Sequence, residues 1–162
     1  MHESALTFAR RHQHGPARRV IEFGSLNING SPQSIFEGSD YVGVDLQDGP
    51  GVDVVSDILD VELAPADVVV CMEVLEHAPD QAGIIARAWD CLHPGGHLIL
   101  TAACDPRAPH SAIDEQPIRA WEHYRNVDVD ELDGWLAGWD VCEKDTGAIG
   151  DVYVCARRPY DR

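Results

Sequence analysis

Short apolar runs separated by polar turns recur along this chain, and they predict strands. The first five runs cover residues 19–23, 41–46, 52–57, 66–72 and 97–103. The fourth, ADVVVCM, is rich in β-branched residues, which is typical of a strand covered on both faces of a parallel sheet. The third is the weakest, because aspartates interrupt its valines. The pattern therefore predicts a mostly parallel sheet.

Two helices are predicted where apolar residues recur every three or four positions after an acidic residue that can cap a helix. The first follows Asp80 and ends at the turn of residues 93–96. The second follows Asp128 and covers residues 129–137. Residues 1–18 are polar and include a Gly-Pro pair, so this N-terminal arm is expected to be frayed or to hold one short helix.

The chain closes with two further runs, residues 139–145 and 151–156, which flank a glycine-containing turn and predict a hairpin. Strands that alternate with helices before such a hairpin predict an α/β, Rossmann-like fold. The expected sheet is seven-stranded and mostly parallel, with helices on both faces and one antiparallel edge strand. A length of 162 residues suits a single domain, predicted over residues 19–162 after the N-terminal arm.

The charge of the chain narrows the classes of partner. The formal net charge is −16, and residues 20–156 hold 26 acidic and 5 basic residues. Such a body repels phosphate backbones, so nucleic-acid binding is disfavoured and a small-molecule ligand is favoured. No apolar run approaches the roughly 20 residues that span a bilayer, and the N-terminus lacks the apolar segment of a secretory signal. The sequence predicts a cytoplasmic protein without a membrane span.

The cysteines and histidines do not form a recognisable metal motif. The five cysteines are an odd set without a C-x-x-C pair, and three of them lie inside apolar segments. Buried, reduced thiols are the simplest interpretation, and no three metal ligands stand at a familiar spacing. The sequence therefore predicts no metal site and an activity that needs no metal.

The end of the first predicted strand carries the first binding signal. Gly24 ends that strand, and a glycine at this turn lets a ligand approach the backbone. Gly30 is six positions on, so the turn is not the G-x-G-x-x-G loop that seats a dinucleotide pyrophosphate. A nicotinamide oxidoreductase is therefore disfavoured, and an ordinary strand-to-helix turn stays the alternative.

Acidic residues end the next two predicted strands. Asp45 lies 21 residues after Gly24, where a carboxylate can accept hydrogen bonds from both hydroxyls of a ribose. Asp57 can accept from an adenine amino group while Ile58 covers the ring. The alternative for both aspartates is an exposed charge in an acidic chain, and the ribose role is favoured for Asp45.

Three histidines are candidate bases. His77 follows the fourth predicted strand, and His110 and His123 lie beyond the fifth. The ordinary pKa of histidine suits proton transfer near neutral pH. A structural role is the alternative for His77.

Residues 104–127 form a long segment without periodicity after the fifth predicted strand. Such segments in compact domains are usually lids, binding loops or disordered. A cluster of aromatic and cationic side chains argues against a plain linker. We expect this cluster to wall a substrate pocket, and its members are Trp121, His123, Tyr124 and Arg125.

These features resemble a known family, the class I S-adenosylmethionine-dependent methyltransferases, and within it the type 11 group. Four segments stand in the family's order: VIEFGSLNING for the first cofactor motif, YVGVDL for the ribose-binding strand, DVVVCMEVLEH for the fourth-strand motif and LHPGGHLIL for the entry to the fifth strand. There are two departures. Residues 26–28 replace the usual second glycine of the first motif, and the helices that precede the first strand in many relatives are nearly absent.

The resemblance implies S-adenosylmethionine as the cofactor and a set of residues that bind it. Gly24 and the neighbouring backbone would hold the methionine part, Asp45 the ribose, and Met72 would form the wall near the reacting methyl group. Asp57 and Ile58 would hold the adenine. The full implied set is Glu22, Gly24, Ser25, Asp45, Leu46, Asp57, Ile58 and Met72.

The predicted function is methyl transfer to a hydroxyl or amine of a small-molecule acceptor, carried out by a monomer or homodimer. An in-line displacement of this kind depends mainly on aligning nucleophile, methyl group and sulfur, so a dedicated base is optional. The alternative is a catalytically silent S-adenosylmethionine-binding or interaction module on the same fold, which a reduced substrate cover would suit.

Overall fold

A seven-stranded sheet forms the centre of the structure, a computed structural model that describes residues 3–13, 15–114 and 116–160. Its strands are β1 (Arg19–Phe23), β2 (Asp40–Asp45), β3 (Val54–Val55), β4 (Ala66–Met72), β5 (Leu92–Ala103), β6 (Asp140–Thr146) and β7 (Asp151–Arg157). They lie in the order β3-β2-β1-β4-β5-β7-β6. The first five are parallel, and β7 runs antiparallel to both of its neighbours. The predicted Rossmann-like α/β class is confirmed.

The helices of the described residues are α1 (Glu3–Arg11), α2 (Gln81–Cys91) and α3 (Val129–Trp135), with 3-10 helices at Gln33–Phe36 and Leu75–His77. Both predicted caps are confirmed. The Asp80 carboxylate accepts a hydrogen bond from the Gly83 N–H at 2.8 Å. The Asp128 carboxylate accepts from the N–H groups of Asp130 and Glu131 at 2.9 and 3.1 Å. These bonds satisfy donors of the first helical turn that have no partner inside the helix.

Side chains alternate along the strands and divide the core between the two faces of the sheet. Ile21 and Val69 belong to the cluster that α2 and α3 cover. Val20 and Val70 belong to the opposite cluster, where Phe8 of α1 packs. Helices therefore lie on both faces, as predicted. The division of the chain into an arm and a domain at residue 18 stays a prediction.

Three element bounds differ from the sequence prediction. β3 is only two residues long, and the Asp53 carboxylate before it accepts a hydrogen bond from the Gly43 N–H at 2.8 Å. β5 begins at Leu92, directly after α2, and pairs with β4 across an irregularity. The antiparallel strand β7 lies one position inside the edge, with β6 outermost. The apolar sequence of β7 suits burial on two faces, whereas the polar β6 (DVCEKDT) suits an exposed edge.

The cysteines and helices also bear on the sequence predictions. No disulfide joins the five cysteines, all of which lie in the described part of the chain. Four of them are buried and Cys142 is exposed. No helix among the described residues has the length and apolar character that a bilayer crossing requires.

Candidate active site

A cavity of about 440 Å³ opens at the carboxyl ends of the parallel strands. Its wall includes Gly24 after β1, Asp45 at the end of β2 and Met72 at the end of β4. β1 and β4 are neighbours in the sheet although the chain passes through β2 and β3 between them, so the strand order reverses here. Open α/β sheets bind ligands at such a switch point, and the volume lies within the range of small-molecule sites.

Seven of the eight residues implied as cofactor ligands line this cavity. The fold brings them together from separate strand ends and loops, and they are Glu22, Gly24, Asp45, Leu46, Asp57, Ile58 and Met72. The eighth, Ser25, is buried against Gly43 of β2 and lies outside the lining. The binding roles of these residues stay predictions.

The turn after β1 runs close to the segment that follows β4. Gly24 has a φ of +73°, and a Cβ atom at this position would lie 2.3 Å from Cγ2 of Val74. The N–H groups of Gly24 and Ser25 both donate to the Val44 carbonyl, at 2.9 and 3.1 Å. Glycine tolerates both the left-handed backbone and the close approach. The turn therefore presents backbone without a side chain to the cavity.

Asp45 fixes the two loops that meet at the expected ribose position. Its Oδ2 accepts from the Leu26 N–H at 3.0 Å, and its Oδ1 accepts from the Gln47 N–H at 3.0 Å. A carboxylate has about four acceptor positions, so two backbone bonds leave capacity for a ligand. Asp45 can therefore hold its loops and a pair of ligand hydroxyls together.

Glu22 is a buried carboxyl group in the cavity wall. Its Oε2 accepts a hydrogen bond from the Tyr41 hydroxyl at 2.8 Å. The pKa of Glu22 is raised to about 7, mainly by burial; the Tyr41 hydrogen bond opposes this rise and the charge of Asp45 adds to it. Glu22 therefore changes its protonation state near neutral pH.

The raised pKa of Glu22 predicts a pH-dependent stability. Because the folded pKa of about 7 exceeds the ordinary value of 4.5, ionisation of Glu22 destabilises the fold as the pH rises through this window. Ionisation of Glu22 should lower the free energy of unfolding by on the order of 3 kcal/mol. This loss is absent at low pH and complete above the folded pKa, and Glu22→Gln should abolish it. Urea unfolding at pH 5 and pH 8 measures this difference. The exposed Glu37→Gln is the matched control, and an equal pH response of Glu22→Gln and wild type would refute the assignment.

The cavity is strongly acidic. Among the described residues, seven acidic side chains and no lysine or arginine line it: Glu22, Asp45, Asp57, Glu73, Asp80, Asp114 and Glu122. Arg119, outside the lining, pairs with Asp114 and Glu122, so the unpaired charge lies on the β-strand side of the cavity. A concave site lined by one sign of charge concentrates its field and attracts the opposite charge. The cavity is thus suited to a cationic ligand and unsuited to a phosphate.

Two of the candidate bases meet beside the end of β4. The rings of His77 and His110 contact edge to face with centroids 5.2 Å apart, and the Tyr124 ring packs against both. Burial, with a smaller contribution from the neighbouring His110, lowers the pKa of His77 to about 4. His77 is therefore neutral at physiological pH. The third candidate, His123, also lines the cavity.

The segment between β5 and α3 contributes part of the cavity wall. Of the four residues expected there, Trp121 and His123 line the cavity, and Trp121 is 72% exposed at its edge. Tyr124 lies behind the two histidines, outside the lining. Arg125 points away and pairs with an acid of α3. The structure thus brings two of the four into the cavity.

Two acidic residues after β4 have environments that the sequence pattern does not single out. Glu73 has a φ of 58°, and its Oε1 accepts from the Thr101 hydroxyl at 2.8 Å. A left-handed backbone is rare for residues other than glycine and clusters at functional sites. Glu76 is fully buried, and its Oε1 accepts from the Ala103 N–H at 3.1 Å. The one sequence signal is position, since both acids follow the end of a buried strand.

The sequence of this chain matches a family model and is similar to the sequences of known enzymes. Residues 7–141 match a family model described as a methyltransferase domain. The ubiquinone biosynthesis O-methyltransferase of Hahella chejuensis is 29% identical over 155 residues, which cover 79% of this chain and 65% of the relative. The chain therefore spans less than two thirds of that relative's length.

Solved methyltransferase structures share the architecture. The 1,6-didemethyltoxoflavin-N1-methyltransferase of Burkholderia thailandensis has a TM-score of 0.72 at 19% identity, covering 97% of this chain and 77% of that chain. The N-methyltransferase NodS of Bradyrhizobium japonicum, in complex with S-adenosylhomocysteine, has a TM-score of 0.69 at 17% identity, covering 97% of this chain and 86% of that chain. At these identities the likeness shows the fold alone.

The family model and the fold of the chain both indicate a methyltransferase domain. The model covers most of the chain, and the mostly parallel sheet with its antiparallel C-terminal pair has the fold of these methyltransferases. The chain therefore belongs to the methyltransferase domain family, within the class I S-adenosylmethionine-dependent methyltransferases.

Proposed function

We propose that this chain binds S-adenosylmethionine in the acidic cavity and transfers its methyl group to a hydroxyl or amine of a small-molecule acceptor. One observation carries the proposal: Gly24 and Asp45 meet at the switch point of the sheet in a cavity lined by carboxylates. S-adenosylmethionine supplies an activated methyl group on a positively charged sulfur.

The charge of the cavity supports this ligand over a dinucleotide. A sulfonium and an ammonium group both carry positive charge, which the lining carboxylates that are not paired with Arg119 favour. A pyrophosphate would meet no lysine or arginine among the described lining residues, and the glycine loop that seats it is missing. The cavity therefore favours S-adenosylmethionine over NAD.

The individual residues fit the parts of the ligand. The Asp45 carboxylate keeps acceptor capacity for two ribose hydroxyls beyond its two backbone bonds. Asp57 uses Oδ1 to accept from the Leu59 N–H at 2.9 Å, which leaves its other oxygen for an adenine amino group. Ile58 supplies an apolar surface beside it. Gly24 offers bare backbone where a side chain would block the methionine part.

Methyl transfer requires alignment and the loss of one proton. The lone pair of the acceptor forms a bond to the methyl carbon as the carbon–sulfur bond breaks, and the electron pair of that bond stays on sulfur. The acceptor's proton must leave, and three histidines line the cavity as candidate bases: His77, His110 and His123. His77 is neutral at physiological pH and can accept a hydrogen bond from the acceptor. Met72 forms apolar wall that excludes water.

The named relatives and the net charge of the chain both support a small-molecule acceptor. The Hahella relative is named for transfer to oxygen and the Burkholderia enzyme for transfer to nitrogen, so both acceptor atoms have support. A net charge of −16 opposes nucleic-acid acceptors and supports a small molecule. We further propose that the protein acts in the cytoplasm as a monomer or homodimer.

A labelled-methyl transfer screen tests the proposed function. The chain would be incubated with S-adenosylmethionine that carries a tritiated methyl group and with panels of phenols, amines and sugars. We expect transfer to at least one class of small molecule and reduced transfer by Asp45→Ala. Binding of S-adenosylhomocysteine without transfer to any acceptor would favour the silent module, and absence of binding would reject the function altogether.

The position of Trp121 predicts a separate effect on the acceptor. Trp121 is an exposed aromatic side chain at the cavity edge, so Trp121→Ala should raise the KM for the acceptor by about tenfold, corresponding to roughly 1.4 kcal/mol. The affinity for S-adenosylhomocysteine should stay within about twofold of wild type. Steady-state kinetics measure the first and calorimetry the second. Tyr160→Ala removes an equally exposed aromatic residue outside the cavity and is the control; an unchanged KM in Trp121→Ala would contradict the role.

A further inference from the structure

Two of the five cysteines meet across the last pair of strands. Cys142 lies in β6 and Cys155 in β7, and their thiols are in hydrogen-bond contact. Both thiols are reduced in the structure, and neither belongs to the described lining of the cavity. We propose that Cys142 and Cys155 form a reversible disulfide, which makes this pair a site of oxidative modification by a peroxide.

An irregularity in β6 places Cys142 beside Cys155. The register shifts between Val141 and Glu143, and Glu143 is the residue that pairs with Cys155. Cys142 is therefore an extra residue in this strand. In a β-bulge, two residues of one strand oppose a single residue of the other, and the bulge re-aims a side chain. Cys142 and Glu143 thus both lie against Cys155.

The spacing across an antiparallel pair suits a disulfide. Opposed residues have Cα atoms about 4.5–5.5 Å apart. Disulfides join residues whose Cα atoms are about 4.4–6.8 Å apart. The contact between the thiols shows that the side chains of Cys142 and Cys155 already turn toward each other. The bond can therefore form with only a local adjustment of the two strands.

The two thiols have different environments, which assigns the order of their reactions. Cys142 is exposed, so a dissolved peroxide can reach it. Cys155 is fully buried, and its burial, with smaller contributions from Cys142 and Glu143, raises the pKa of its thiol to about 12. The thiolate is the attacking form of cysteine. Cys142 is therefore the thiol that reacts with the peroxide, and Cys155 is the thiol that resolves the product.

The oxidation has two balanced steps. The Cys142 thiolate attacks one peroxide oxygen and the O–O bond breaks, which gives a sulfenic acid and a hydroxide that is protonated to water. The Cys155 sulfur then attacks the Cys142 sulfur and the S–O bond breaks, while the departing hydroxide takes the Cys155 proton and leaves as water. Two thiols lose two electrons and two protons, and the peroxide becomes two molecules of water. A small-molecule thiol reverses the bond by exchange, as is usual for disulfides in reducing compartments.

The same bulge contacts the N-terminal helix. The Glu143 carboxylate pairs with Arg11 of α1, and its Oε2 lies 3.0 Å from Nε2 of His12. Phe8 of α1 and Cys155 belong to one buried cluster. The disulfide would therefore form where the edge strand, β7 and α1 meet. The proposal does not depend on the proposed function, because the pair lies outside the cavity lining.

Peptide mapping of the full chain tests the disulfide. The reduced chain, freed of reductant, would be treated with hydrogen peroxide at low protein concentration, alkylated, and digested with trypsin without reduction. Trypsin cleaves after Arg125, Lys144 and Arg157, so the disulfide would join peptides 126–144 and 145–157. We expect this cross-linked pair, the loss of two of the five thiols, and recovery of both thiols with dithiothreitol.

Single variants assign the two roles. Cys142→Ser should abolish the cross-link and leave Cys155 reduced, and its thermal unfolding curve should match wild type because Cys142 is exposed. Cys155→Ala should leave on Cys142 a sulfenic acid that dimedone traps. Cys104→Ser removes a buried thiol outside the pair and is the matched control, which should cross-link as wild type does.

Two results would overturn the proposal. One is the absence of the cross-linked pair from the wild-type digest, and the other is a disulfide between two chains in its place on a non-reducing gel. Binding of S-adenosylhomocysteine by the oxidised chain should stay within about twofold of the reduced chain. Because this binding is measured separately, failure of the disulfide and failure of the proposed function give different results.

Discussion

Gly24→Val is expected to lower the affinity for S-adenosylhomocysteine by at least about 100-fold, which corresponds to roughly 2.7 kcal/mol. Two effects add. A Cβ atom at a φ of +73° is strained, and it would lie 2.3 Å from Val74, so the turn must move. The branched side chain would also displace Val74, which lines the same cavity. Calorimetric titration measures the loss.

A matched glycine separates strain from blocked binding. Gly38 has a φ of +87°, its added Cβ atom would meet nothing within 4 Å, and it does not line the cavity. Gly38→Val should therefore lose stability through backbone strain of about 1–3 kcal/mol but keep its affinity. Gly24→Ala provides a smaller change if Gly24→Val does not fold. Wild-type affinity in a folded Gly24→Val protein would reject the assignment of this turn.

Asp45→Ala is expected to weaken S-adenosylhomocysteine binding by about tenfold or more. A neutral side chain leaves the two ribose hydroxyls without a strong acceptor, and each hydrogen bond to a charged group contributes about 1.5–3 kcal/mol. The variant also removes the bonds to the N–H groups of Leu26 and Gln47, both at 3.0 Å, which loosens the two loops. Both effects act in the same direction.

The control for Asp45 is an acid of the same loop. Asp48 is exposed and does not line the cavity, so Asp48→Ala removes the same charge and should change the affinity by less than about twofold. Asp45→Asn keeps one carbonyl acceptor and should fall between Asp45→Ala and wild type. Tight binding by Asp45→Ala would show that the ligand's ribose lies elsewhere.

The fold is largely predictable because its signals are local. The β-branched run of β4 and the capping aspartates Asp80 and Asp128 each specify their own element, and the structure contains all three. The place of β7 inside the sheet depends instead on the pairing of distant strands. The sequence order of the hairpin therefore predicts β7 as a strand but not as an interior one.

The candidate site also combines residues that the sequence predicts with residues that it does not. Gly24, Asp45 and Met72 are predictable because each ends a strand, and strand ends meet at one edge of a parallel sheet. The meeting of His110 with Glu76 depends on the path of the loop after β5, and no local pattern encodes that path. For this reason the sequence shows the cofactor side of the cavity better than the side formed by the loop after β5.

Calorimetric titration of the chain with S-adenosylhomocysteine, with NAD as the comparison ligand, tests the central claim most directly. The acidic cavity around Gly24 and Asp45 predicts saturable binding of one S-adenosylhomocysteine per chain and no measurable binding of NAD. Absence of S-adenosylhomocysteine binding, or binding of NAD with equal affinity, would contradict it.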